Sequence, residues 1–517
     1  MIHSNECARA LSCAHKALLL RQDREEKTDV EFAPPERSEY RRRYDDLLAP
    51  LNLPEGHTGD EVLQSFEILR EHRGGRNLRF ESRGIRTTIP LLLFDENTSK
   101  KEDRPLFRAI YPIYSTAAKD SLLTRFYADA AVLAGCGIEL SSIDLITLPK
   151  NQLSDPNRPA SEVFTIQNRL KKSKGGFRRD SVIESVNALN RKMPFKSYLD
   201  LCAQFFERTD TVSRRVKACT APARCPFYEE CWKETQQPDN SATLLFSAKN
   251  KDDFASMGIE RLDQIDAHHM EGLPMQYAQV QAARSLQEEE TATAAEAGSG
   301  IYVDQAALSY WMDSLKWPLS YLDFEWDTFV LSPYEGMKPF GVLCFQYSLH
   351  VEQKDGKLDH FAFFESGDCR KDFIEALLDD LPEEGSIVVF NMEGAERLRL
   401  LQLAEQFPQY RKQLEAVCDR MVDLATPFES GVYYDLRQRS HSSLKTLLPL
   451  FTSSVSYSDL EVHNGVQAVL AYRVLQQERG RKQRAAARAI SMYCSLDTLA
   501  EKELYDGLNA CRAEKAD

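Results

Sequence analysis

Short apolar runs bounded by turn residues alternate with stretches of helical periodicity along the whole chain, which predicts an α/β protein. Toward the C-terminus, residues 319–324 and 386–390 read as buried strands, 341–350 and 358–365 as longer strands, and 375–381 and 398–406 as helices. Opening strands followed by mixed helices predict a mixed sheet with helices on its faces. Residues 485–508 read as a long helix, set off by Gly480. Upstream, residues 85–94 form a strand pattern, Phe254-Ala-Ser-Met-Gly258 reads as helix to turn, and 279–290 reads as a helix. That helix runs into Thr291-Ala-Thr-Ala-Ala-Glu-Ala-Gly-Ser-Gly300, the best linker in the chain. The expected division is 1–235, 236–275 as a small connector, 276–300 as helix and linker, and 301–517, with no internal repeat.

Composition narrows this picture. The 43% hydrophobic content excludes wholesale disorder over 517 residues. A net charge of −14 excludes a general electrostatic coat for nucleic acid, so such a role needs local basic patches and metal ions. No apolar run approaches the ~18 residues that span a bilayer; stretches such as 89–94 suit buried strands. Lys16 and His15 interrupt the apolar stretch near the N-terminus, so a cytoplasmic protein is expected. The twelve cysteines are then expected as thiols, not disulfides.

Three patterns carry candidate chemistry. In Tyr321-Leu-Asp323-Phe-Glu325 the two acids are two apart, so on a strand they share a face. Like charges that close call for a cation, and hard oxygen ligands suit Mg²⁺ or Mn²⁺; taken alone, such a pair is more often simply solvated. Val388-Val-Phe-Asn391-Met-Glu-Gly-Ala-Glu396 is a buried strand ending at Asn391, with Glu396 near the start of the next helix, as a ligand or as an ordinary cap. Tyr493 and Asp497 are four apart on the final helix and share one face, as ligand and hydroxyl or as an ordinary amphipathic surface.

The order of these motifs resembles the DEDD exonucleases of the ribonuclease H-like superfamily, in its tyrosine subclass. Further matches are Phe345-Gln-Tyr-Ser-Leu-His350, Val422-Asp-Leu424, Ser442-Ser-Leu-Lys445 with Leu448-Pro449, Asp459-Leu-Glu461 and Tyr493-Cys494 ahead of Asp497-Thr498. Together they resemble a bacterial domain-of-unknown-function family of predicted nucleases, over residues 301–510. The resemblance implies a ribonuclease H-like domain in which Asp323, Glu325, Glu396 and Asp497 hold two Mg²⁺ or Mn²⁺ ions and Tyr493 orients a water. It implies hydrolysis of DNA or RNA, single strands favoured, from the 3′ end. The family's second motif reads about Asn-x3-Glu; one residue is inserted here, leaving Glu396 as the match and Glu393 as rival. Asn464 stands where the family often has Asp. Asp423 is structural or approaches the centre, and Lys445 is a phosphate contact or a solvated lysine.

The densest cysteine tract is Cys219-x5-Cys225-x5-Cys231, which suggests a metal site. Cys225-Pro-Phe-Tyr-Glu-Glu-Cys231-Trp resembles the C-terminal iron–sulfur clamp of RecB-like nucleases, a group that includes the CRISPR-adaptation nucleases. Their fourth cysteine lies near the N-terminus, where this chain has Cys13, with Cys7 as rival. The resemblance implies a RecB-like PD-(D/E)xK restriction-endonuclease-like domain whose Cys13, Cys219, Cys225 and Cys231 hold a [4Fe–4S] cluster, with Zn²⁺ or free thiols as alternatives. Its catalytic motif is degenerate: Tyr111-Pro-Ile113 stands where Glu-x-Lys belongs and Thr87-Thr-Ile-Pro where the Asp belongs, while Asp95 and Glu96 are misplaced for the role. Two basic runs, residues 169–179 with Phe177 and residues 479–488, are nucleic-acid contacts or solvated faces. The expected whole is a metal-dependent nuclease, the alternative a non-catalytic nucleic-acid-binding or scaffold protein.

Overall fold

The computed structural model describes residues 2–22, 33–56, 62–208, 216, 219, 225–233, 236–248, 253–286, 299–457, 460–477 and 480–512. It divides into two compact units. The first comprises Met1–Asp29, Pro35–Lys233 and Phe329–Gly341; the second comprises Val30–Pro34, Glu234–Thr328 and Val342–Asp517. The segment expected as a separate connector therefore belongs to the second unit. Its Leu245, Phe254, Leu262 and Ile265 are buried in one cluster with Met275, Val280 and Tyr434. The expected 279–290 helix is Pro274–Ser285; residues 287–290 and most of the expected linker, 291–298, lie outside the described residues.

The first unit has a six-stranded mixed sheet built from β1 (Ile2–His3), β2 (Gly74–Ser82), β3 (Ile85–Phe94), β4 (Phe107–Pro112), β5 (Leu140–Thr147) and β6 (Thr165–Gln167). The spatial order is β1-β3-β4-β5-β6, with β2 paired to β3. The β2–β3 hairpin turns at Arg83 and Gly84, both at positive φ (55° and 74°), as a tight right-twisted hairpin requires. Helices α1 (Ser4–Ala10) and α2 (Leu123–Gly135) bury Cys7, Phe126, Ala130 and Leu133 in one core with Leu78, Phe80 and Ile89 of the sheet.

The second unit has a five-stranded sheet of β8 (Leu319–Thr328), β9 (Val342–Glu352), β10 (Leu358–Phe364), β11 (Ser386–Val389) and β12 (Met421–Asp423), in the order β10-β9-β8-β11-β12. Strand β9 runs antiparallel to both β10 and β8, whereas β8, β11 and β12 are parallel. A separate pair joins β7 (Ile301–Val303) to β13 (Tyr433–Asp435). Period-2 alternation sorts β8 between two cores. Leu322 and Phe324 pack with Phe373, Ile387 and Leu400, while Leu319 and Tyr321 pack with Val388, Leu504 and Leu508. The strands expected from the apolar runs appear within a few residues of their predicted ends. Helix α3 (Glu396–Gln406) follows β11, and α4 (Leu444–Phe451), α5 (Gly465–Gln477) and the long α6 (Arg481–Ala510) close the unit. Gly480 precedes α6 at φ 74°, the break its sequence signalled. No described helix is long and apolar enough to cross a membrane.

Candidate metal centre

Strand β8 is central, and its alternation sends Asp323 and Glu325 to the face that α6 covers. The β8–β9 register pairs Asp323 with Ser348 and Glu325 with Gln346, then shifts between Glu325 and Trp326. Such irregularities re-aim side chains and recur beside active sites. Helix α6 answers with a buried stripe at helical spacing: Tyr493, Cys494, Asp497, Thr498 and Glu501. Hydroxyl contacts hold this stripe against β9. Thr498 Oγ1 lies 2.9 Å from Ser348 Oγ and 2.8 Å from His350 Nδ1. The Cys494 thiol donates to Asp323 Oδ2 at 3.2 Å. As a result Asp323, Glu325 and Asp497 each offer a carboxylate oxygen, and these atoms lie within 4.8 Å of one another.

Glu396, at the start of α3, is 2% exposed and feels the charge of Asp323, but falls outside the group within 4.8 Å. Asp423 builds the turn that presents it. Its carboxylate accepts the backbone N–H groups of Asn391 (3.0 Å), Met392 (2.9 Å) and Ala425 (2.9 Å). The residue inserted into this motif is absorbed in the turn, where Asn391 takes φ 67° and its carbonyl accepts from both Gly394 and Ala395. Glu393 faces solvent and pairs with Arg397, so Glu396 is the acid that this turn delivers. Asp423 is thus a brace for the turn. Asn464 caps α5 by accepting the Gln467 N–H at 2.9 Å; Asp459 lies outside the described residues.

Lys445 belongs to the site. Its ammonium sits 5.1 Å from the ring centre of Tyr457 and 4.8 Å from that of Tyr493, and donates to the His463 carbonyl. Burial lowers its pKa, and the charges of Asp497, Glu325 and Asp323 oppose that shift. Tyr457, which no sequence pattern flagged, donates its hydroxyl to Asp497 Oδ1 at 2.6 Å. Glu501 was also missed, although its spacing of four from Asp497 repeats the signal that singled out Tyr493.

The electrostatics are those of crowded buried acids that Lys445 and hydrogen bonds from Tyr457 and Cys494 only partly compensate. Burial and then the Asp497 charge push Asp323 well above the carboxylate range. Burial, Asp323 and Asp497 do the same to Glu325, and burial with Asp323 to Glu396. Asp497 is pushed up to about 6 by burial, against the relief of Tyr457 and Lys445. Acids whose folded pKa is raised bind more protons folded than unfolded, so they cost stability as pH rises from about 4 through 6 and beyond. A bound divalent cation removes that cost. Chelated protein should therefore gain about 5–10 °C in melting temperature with saturating Mn²⁺ at pH 8, and far less at pH 5. Equal gains at both pH values, read by thermal-shift fluorescence, would mean that these acids are not the binders.

In the first unit, Cys13, Cys225 and Cys219 all act on Cys231, whose thiol is pushed up to about 11 by burial and then by these three neighbours. The Cys219 carbonyl accepts the Cys225 N–H at 2.9 Å. The rival Cys7 is instead a buried free thiol in a hydrogen bond with the Cys202 thiol. Among the described residues, the acidic set alone has three ligand atoms within 4.8 Å of one another, so no three of these sulfurs do. Thr87 and Tyr111 converge elsewhere. Ser4 and Thr87 each donate to Asp129 Oδ1 at 2.6 Å, and Tyr111 donates to Oδ2 at 3.1 Å. Both oxygens of this buried acid are thereby satisfied by hydroxyls. Asp95 caps the helix Glu96–Glu102, and Glu96 is exposed and paired with Lys100, so neither serves a metal site.

Residues 320–443 match the model of a family described as a domain of unknown function (DUF2779). The match takes in Asp323, Glu325, Glu396 and Asp423 and stops before Lys445, Tyr493 and Asp497. Searches of curated proteins and of solved structures return no match to the chain.

Proposed function

We propose that this chain is a metal-dependent nuclease that hydrolyses phosphodiester bonds of DNA or RNA, acting as a 3′–5′ exonuclease on single strands. The observation that carries the reading is the approach of Asp323, Glu325 and Asp497 to within 4.8 Å of one another, three acids from a strand and a helix far apart in sequence. The strand order β10-β9-β8-β11-β12, antiparallel then parallel, supports a ribonuclease H-like domain. The donor set fits hard divalent cations, since it is all carboxylate, and Glu396 Oε2 is buried without a partner among the described residues. Asp323, Glu325, Glu396 and Asp497 would hold two Mg²⁺ or Mn²⁺ ions, which supply an activated water and stabilise charge on the leaving oxygen.

The chain's own groups do the rest. Burial and the Asp497 charge raise the Tyr493 pKa far above neutrality, so its hydroxyl keeps its proton and orients the attacking water. Lys445 offers a half-buried positive charge for a phosphate. Arg481, Arg484 and Arg488 lie exposed on one face of the first turns of α6 and suit a phosphate backbone. In the first unit, the hydroxyl-saturated Asp129 favours binding without cleavage, and the loop 171–177 presents lysines with a half-exposed Phe177 for stacking. We assign a [4Fe–4S] cluster to Cys13, Cys219, Cys225 and Cys231. Tetrahedral zinc would hold neighbouring sulfurs about 3.8 Å apart, whereas no three of these sulfurs lie within 4.8 Å of one another.

The test uses full-length protein with 5′-labelled single-stranded DNA and RNA. With Mn²⁺ or Mg²⁺ the label should move into a ladder shortened from the 3′ end, and excess EDTA should stop it. Binding of either strand with no product under any divalent ion would establish the alternative, a non-catalytic nucleic-acid-binding or scaffold protein.

A further inference from the structure

Between α4 and α5 the chain passes beside Asp497 and is fastened there at two points by one amine. The Lys445 ammonium lies 5.1 Å from the ring centre of Tyr457 and donates to the His463 carbonyl. His463 Nδ1 stands 3.3 Å from the Tyr457 carbonyl, so the two fastened points also meet each other. The Tyr493 ring is 6.1 Å from that of Tyr457, tilted by 51°, and lies 4.8 Å from the same ammonium. A partly buried cation gains from aromatic faces and a carbonyl what it has lost in water, so this grip resists movement. It sets the place of one hydroxyl. Tyr457 donates to Asp497 Oδ1 at 2.6 Å, within the short range of a hydroxyl on a carboxylate. Asp497 is 7% exposed and is one of the three acids whose oxygens come within 4.8 Å of one another. The terminal torsion of an aspartate is broad and roughly two-fold. A hydroxyl held on one oxygen stops that rotation and leaves the other oxygen for a cation. Tyr493 also bonds this carboxylate, but from one turn back on the same helix, so it moves with Asp497. Tyr457 ties it to a different element.

We propose that Tyr457 is a positioning residue of the metal centre: its hydroxyl, clamped through Lys445, fixes the Asp497 carboxylate so that one oxygen faces a divalent ion. The inference rests on the metal-dependent reading above and extends it to a residue outside the motifs that suggested it and outside the matched residues 320–443. The alternatives are a hydroxyl that stands in for the cation and competes with it, and a ring that only packs beneath Lys445.

The three separate by sign in an Mn²⁺ titration of the full chain, with free ion followed by electron paramagnetic resonance. Tyr457→Phe deletes the hydroxyl and keeps the ring for Lys445. Positioning predicts Mn²⁺ affinity about 10–100-fold weaker, the usual loss when a ligand's hydrogen-bonded support is removed, with an unchanged circular dichroism spectrum. The high-field resonance of the ion still bound should broaden as Asp497 loses its fixed orientation, which a role confined to packing does not produce. Unchanged affinity assigns Tyr457 to packing and tighter binding assigns it to competition; either result overturns the inference while leaving the metal centre standing. Should Tyr457→Phe not fold, Tyr457→Leu at this half-buried loop position also lacks the hydroxyl and must weaken binding by a similar factor; wild-type or tighter binding there overturns the inference as well. No Mn²⁺ bound by wild type would remove the proposed function itself, and this assignment with it.

Discussion

Asp323→Asn should lower the single-turnover rate of Mn²⁺-dependent DNA or RNA cleavage at least about a thousandfold, or roughly 4 kcal/mol of activation free energy. Asp323 is the acid whose charge bears on every other carboxylate of the proposed set except Asp497, which it approaches directly. It lies within 4.8 Å of Glu325 and Asp497 through one carboxylate oxygen, and its charge bears on Glu396 and Glu501. Losing it removes a ligand and a charge from both proposed ion positions at once, and positioning with charge stabilisation carries reactions of this kind. The amide keeps the shape and can still accept the Cys494 thiol. It also relieves repulsion among buried acids, so the ion-free variant should melt no lower than wild type. A lost rate with retained melting temperature therefore separates chemistry from folding. A variant within tenfold of wild type in a radiolabelled cleavage assay would place any hydrolysis elsewhere.

The second large effect concerns the thiols of the first unit. Cys225→Ser should abolish the broad visible absorbance expected of anaerobically purified protein and reduce bound iron from about four atoms per chain to near zero. A cluster held by both Cys13 and Cys231 would tie distant parts of this unit together, so metal binding there would also be folding free energy. The melting transition of this unit should fall by on the order of 10 °C. Cys136→Ser is the control. Cys136 contacts the Glu81 carbonyl and is outside the group that acts on Cys231, so its loss should leave iron content unchanged. One zinc per chain in place of iron, by mass spectrometry of metals, would reassign the site. Absence of both from wild type would leave a cluster of free thiols.

What the sequence made readable was local. Asp323 with Glu325, and Tyr493 with Asp497, are pairs whose members must lie side by side once a strand or a helix forms, because side chains repeat every two or every 3.6 residues. The buried strands of the second unit were visible as apolar runs for the same reason. The cysteine tract announced itself by composition. Other readings stayed open because they depend on partners far along the chain. Glu393 and Glu396 differ by three positions. It was the Asp423 brace, arriving from a parallel neighbouring strand, that delivered Glu396 inward and left Glu393 to solvent. Lys445 could not be separated from a solvated lysine until Tyr457 and Tyr493 were found beneath its ammonium.

The boundaries of the units were equally non-local. The described apolar side chains of residues 236–275 share their buried cluster with Tyr434, some 160 positions on by the numbering. By itself, then, the sequence determined the element types, the paired acids and the thiol spacing, since these follow from short-range periodicity and side-chain chemistry. Only the tertiary structure decided that β8 and the face of α6 meet, and that Tyr457 joins them. Burial of apolar faces selects such meetings, and no short window of residues contains both partners.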